Sequence, residues 1–171
     1  KDEMQTAYSR ASLGDREMSR ENLSVARPLL EECLRLAKRL RHTKLLSVTC
    51  FNLGTIDFFE NSFEQAASNF AESLQIAREM GNKTMISCNL EGFAALAVKN
   101  GNAAQSAKLA GAAESLREAI GYFIEPAEEI FRNKYLSETR AALGEERFAA
   151  LYNQGRRLNW TDATALAFQH Q

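Results

Sequence analysis

The stretch 44–81, KLLSVTCFNLGTIDFFENSFEQAASNFAESLQIAREMG, decides the fold. Leu45, Val48, Leu53, Ile56 and Phe59 recur at intervals of three to five, which suits a helix with a broad apolar face. Asn61-Ser62 then interrupts the pattern, with Ser62 placed as an N-cap and Gln65 three residues on, as in a capping box. A second helix follows with Phe63, Ala66, Ala67, Phe70, Leu74 and Ala77, and Gly81 stands where a left-handed residue ends it. Helix, tight turn, helix is therefore the unit.

The next segment repeats the plan. A helix over 84–98 carries Ile86, Leu90, Phe93 and Leu96; Asn100-Gly101-Asn102 breaks it; an alanine-rich helix over 103–120 ends at Gly121. Gly54 and Gly92 lie 38 positions apart, as do Ala66 and Ala104, so a period near 38 is expected. Backwards, Ala26, Leu30, Leu34 and Ala37 share a helix whose first turn accommodates Pro28. Residues 5–13 form a weakly patterned earlier helix, with Gly14-Asp15 as its turn. After Gly121 the spacing becomes irregular. Helices from Pro126 to Ala142, over 145–153 and after Thr161-Asp162, preceded by Trp160 as a staple, read as a terminal cap.

The expected fold is all-α: a TPR-like helical-hairpin solenoid with a C-terminal helical cap. Hairpins occupy 1–121 and the cap 122–171, within one domain.

Composition narrows the function. Apolar residues make 45% of the 171, charged residues 25%, and the net charge is −1, which gives no global attraction to nucleic acid or to an anionic membrane. No apolar run reaches the roughly 20 residues of a membrane helix. The start, Lys1-Asp2-Glu3, reads as the interior of a longer protein. Cys33, Cys50 and Cys88 fall among apolar neighbours without a CxxC pair, and His42 and His170 are the only histidines, so neither a metal site nor a cofactor is expected. The cysteines read as buried hydrophobes of a reducing cytoplasm.

Carboxylates pair with basic residues at helical spacing, as Glu114 with Arg117 and Glu128 with Arg132, which places them on solvent faces. No Ser/His/Asp or Cys/His set converges, so no catalytic residue is nominated and an enzyme is not expected. The run Arg35, Lys38, Arg39, Arg41, His42, Lys44 complements a helix C-terminus.

Two resemblances refine this. Asn52-Leu53-Gly54 … Ala66 … Phe70 resembles the tetratricopeptide signature, with Cys50 in place of an aromatic and Arg78 in place of a closing proline. Leu90-Glu91-Gly92-Phe93-Ala94-Ala95-Leu96-Ala97, the run from Ala107 to Gly121, and Trp160-Thr161-Asp162-Ala163 resemble the C-terminal repeats of bacterial LuxR-type, maltose-activator-like regulators and related signalling ATPases, over about 44–167. The tetratricopeptide resemblance implies an inner groove lined by Phe51, Thr55 and Phe58 in one repeat and by Asn89 and Phe93 in the next. The regulator resemblance implies a protein-interaction or sensor arm of a cytoplasmic transcriptional regulator or signalling ATPase, with a protein or peptide ligand or a small-molecule inducer. A stand-alone adaptor that binds a peptide segment is the alternative. GxxxxGK[ST] is absent and no DNA-reading helix-turn-helix is recognisable, so ATP and DNA binding are not implied.

Overall fold

In a computed structural model, which describes residues 2–169, a residue enters the left-handed region at every twentieth position: Glu21, Arg41, Asn61, Gly81, Gly101 and Gly121, with φ from 51° to 79°. Each of these N–H groups bonds the carbonyl three residues back, from Met18, Lys38, Phe58, Arg78, Val98 and Glu118. The next N–H, of Asn22, His42, Ser62, Asn102 and Tyr122, reaches the carbonyl five back at 2.8–3.0 Å. These are Schellman ends, which satisfy carbonyls a helix terminus would otherwise leave bare. Residues 22, 42, 62, 82 and 102 then serve as N-caps. His42 Nδ1 and the side-chain oxygens of Asn82 and Asn102 accept the N–H three residues on.

The resulting elements are α1 (Asp2–Ser19), α2 (Leu23–Arg39), α3 (Thr43–Phe59), α4 (Phe63–Glu79), α5 (Lys83–Lys99), α6 (Ala103–Ile120), α7 (Pro126–Leu143), α8 (Glu145–Gly155) and α9 (Trp160–Ala167). The described residues are thus all-α, and none of their helices is long and apolar enough to cross a membrane. His170 lies outside them.

Several expectations change. The hairpin period is 40, not 38, because the turns recur every 20 residues. Gly14-Asp15 is no turn: α1 runs through it, and Gly14 is buried where an added Cβ would stand 2.7 Å from Leu30 Cγ. Pro28 lies inside α2, five residues after its start rather than in the first turn. It is exposed, as is Ser24, whose carbonyl loses the helical bond that a proline cannot donate. Ser62 is an N-cap but makes no side-chain cap bond. Asn159, whose side chain accepts from the Asp162 N–H, caps α9, and Trp160 is the first residue of that helix.

The chain parts into two compact units, residues 1–81 and 82–171. In the first, α1 pairs with α2, α3 with α4, and α2 also packs on α3. Its core includes Ala26, Leu30, Ala37, Ile56, Ala66, Phe70 and Leu74, all fully buried. Gly54 brings α3 close to α4: a Cβ there would sit 2.8 Å from the Phe70 ring. Sixteen residues separate Gly54 from Phe70 and Gly14 from Leu30, a small residue facing a large one each time. Asp57, 2% exposed, accepts from Arg27 and Asn69, both at 2.7 Å, and so ties α2, α3 and α4 together.

In the second unit α5 pairs with α6, and α7, α8 and α9 pack onto this hairpin. Residues 122–169 therefore share their core with the third hairpin. Glycines bring α6 and α8 into close approach. A Cβ on Gly111 would lie 2.1 Å from the Tyr152 carbonyl oxygen, and one on Gly155 would lie 1.9 Å from the Lys108 carbonyl oxygen. Backbone meets backbone here, so no side chain can yield.

Gly155→Ala is expected to lose about 3 kcal/mol in urea unfolding followed by Trp160 fluorescence, since overpacking against backbone is at the costly end of its range. Arg41→Gly is expected to gain about 1 kcal/mol in unfolding followed by circular dichroism, because it relieves a left-handed non-glycine residue.

Candidate functional site

The nominated groove residues fall as follows. Phe51, Thr55 and Phe58 lie on α3 in the first unit, Asn89 and Phe93 on α5 in the second. All five are buried, at 5, 2, 1, 0 and 3% exposure. Phe51 packs at 5.7 Å from Phe70, Phe58 at 5.8 Å from Phe63, and Phe93 at 5.3 Å from Phe168. Thr55 donates to the Phe51 carbonyl and Asn89 to the Met85 carbonyl. A docking role for any of them would need its covering neighbours to part.

The 40-residue period also shifts the correspondence between repeats. Phe51 matches Glu91, not Asn89, and Ala77 matches Arg117. Ser47 and Ser73 exchange hydrogen bonds across the second hairpin, and Arg117 donates to Glu91 across the third. Where the earlier repeat holds Phe51 and Ala77, the later one therefore holds a buried ion pair. Its side chains are 4% and 6% exposed.

This pair is the centre of a larger cluster. Arg117 also donates to Glu114, as its spacing predicts, yet from a buried position rather than a solvent face. Arg132 on α7 departs from expectation. It pairs with Glu91 at 3.1 Å, without hydrogen-bond alignment, and with Glu114, while also donating to the Tyr152 hydroxyl at 3.1 Å. Glu128 is committed elsewhere: it accepts from the Tyr122 hydroxyl at 2.8 Å, Cys88 Sγ at 3.1 Å and the Glu125 N–H at 2.8 Å. Two carboxylates and two guanidiniums thus join α5, α6 and α7 with no net charge.

The electrostatics follow from burial and neighbours. Desolvation opposes the charge on Arg117, but Glu91 and Glu114 hold its pKa above the ordinary value. Burial pushes the Glu91 carboxyl upward against the pull of Arg117 and Arg132. Tyr135, fully buried with no hydrogen-bond partner for its hydroxyl, is driven well above the usual phenol value by burial and then by Glu91. The three cysteines are free and buried, with Cys50 pushed up to about 12 by desolvation and by nearby Glu72. Every charge of the cluster has a fixed partner, so it acts as a clamp between helices.

Arg132 borders two clefts. One, about 380 Å³, is flanked by Tyr122, by Ile124 and by Phe123, which is 87% exposed. The other, about 620 Å³, lies between α7 and α8. The signal that could have found this region is Glu91 itself, a carboxylate inside an apolar helical run.

No protein family matches the chain, and no curated protein and no solved structure matches it.

Glu91→Ala leaves Arg117 buried without its main partner and is expected to cost about 3–5 kcal/mol. Glu91→Leu combined with Arg117→Met is expected to cost far less than either single change, as measured by a double-mutant cycle in urea.

Proposed function

We propose that the chain is a TPR-like helical-hairpin solenoid with a C-terminal cap, serving as the protein-interaction or sensor arm of a larger bacterial transcriptional regulator or signalling ATPase. The observation that carries this reading is the recurrence of one turn every 20 residues from Glu21 to Gly121. Equal helices joined by equal turns are how a chain builds a stack of hairpins, and such stacks act through extended surfaces. The resemblance of the 90–97 and 107–121 runs to the regulator repeats supplies the class of parent protein. In this reading the module does no chemistry. Its most polar assembly, Glu91–Arg117–Glu114–Arg132, is internally neutralised. It works in the cytoplasm on a protein or peptide ligand.

The reading frame that encodes this segment is expected to continue into an ATPase or DNA-binding domain. Deleting residues 1–171 from that protein is expected to abolish its response to the partner while ATP hydrolysis or operator binding persists, measured by ATPase and mobility-shift assays. A reading frame holding this segment alone would overturn the regulator assignment.

A further inference from the structure

The cleft between α7 and α8 is an open groove of about 620 Å³, within the range of ligand sites. Its polar lining is Arg132, Asn133, Ser137 and Arg140 from α7 with Tyr152 and Asn153 from α8. Positions 133, 137 and 140 share one face of α7, since they recur at four and three. Leu136 and Phe148 supply apolar lining, and no carboxylate is among the lining residues described.

The two arginines are held but not saturated. Arg140 stands with its guanidinium 4.1 Å from the centre of the Phe148 ring and donates through Nη1 to Glu145. Arg132 turns Nε toward Glu91 at 3.1 Å and commits Nη2 to Glu114 and to the Tyr152 hydroxyl, which leaves Nη1. A guanidinium carries five N–H donors, so each arginine keeps donors for a further acceptor. Asn133, Ser137 and Asn153 are exposed beside them, with donors and acceptors of the kind that hold a peptide backbone.

We propose that this cleft binds an extended acidic peptide segment of a partner protein, with two carboxylates four residues apart, one on Arg132 and one on Arg140. The spacing follows from geometry. Eight helical residues separate the arginines, about 12 Å along the axis. In an extended peptide, side chains four apart share a face and stand about 14 Å apart. The proposal rests on reading the chain as an interaction module and names what the module grips.

The test is fluorescence anisotropy of the whole chain with a labelled nonapeptide carrying glutamates at its third and seventh positions, against its double-glutamine counterpart. The glutamate peptide is expected to bind about tenfold more tightly, with affinity falling as salt is raised. Arg140→Gln and Asn153→Ala are each expected to weaken binding about fivefold with helix content unchanged by circular dichroism. Equal binding of the two peptides, or indifference to Arg140→Gln, overturns the proposal. So does a small dicarboxylate such as succinate binding the cleft more tightly than the peptide. Arg140→Gln in the full-length protein separates the two readings: partner capture that persists removes the cleft and leaves the interaction role standing. A deletion of residues 1–171 that spares capture, while the glutamate peptide still binds the cleft, removes the role alone.

Discussion

Helix length in this chain is set at its turns. A helix stops where its last carbonyls find donors from beyond its end, and here one left-handed residue every 20 positions supplies the geometry for that exchange. At 81, 101 and 121 glycine takes the conformation without strain; at 21, 41 and 61 a side chain tolerates it because the two bonds it permits are made on either side. Everything else depends on this spacing. It places residue 54 over 70 and residue 47 over 73, so that a small side chain meets a large one and a hydroxyl meets a hydroxyl.

The third hairpin uses the same frame for a different purpose. Ala94 and Ala110 stand where Gly54 and Phe70 stand one period earlier, both fully buried. At the neighbouring crossing a phenyl ring and a methyl give way to Glu91 and Arg117. A well-packed apolar pair at such a crossing is often about as stable. What the ion pair adds is direction: it recruits Arg132 from α7, and through it Glu114 and Tyr152, which orients the C-terminal helices around one charged centre. The close backbone contact of Gly111 and Gly155 then seats α8 against α6.

Much of this is legible in the residues. The helical face of 44–59, the break at Asn61-Ser62, and Gly81 and Gly121 as stops all read directly, because apolar spacing and glycine are strong signals. The turns at Glu21 and Arg41 are not legible, since nothing in glutamate or arginine announces a positive φ. Gly14 misleads in the opposite sense, as a glycine chosen for close packing within a helix looks like a stop. Gly92 misleads by lying two residues from the counterpart of Gly54, and that slip hides the equivalence of Phe51 and Glu91. Pairing by helical spacing finds Glu114 with Arg117 but cannot show that both reach across to another helix. Only tertiary packing decides that Arg132 turns to Glu91 rather than to Glu128.

The equal 20-residue spacing carries a consequence for how such a sequence can change over time. One residue added or lost inside α3 would rotate everything beyond it by about 100° and turn the Phe70 contact of Gly54 toward solvent. Loss or duplication of 40 residues, by contrast, returns each turn to a turn and keeps the helices in register. The length of this chain is thus quantised: descendants that gain or lose whole hairpins keep a fold that those differing by a single codon do not.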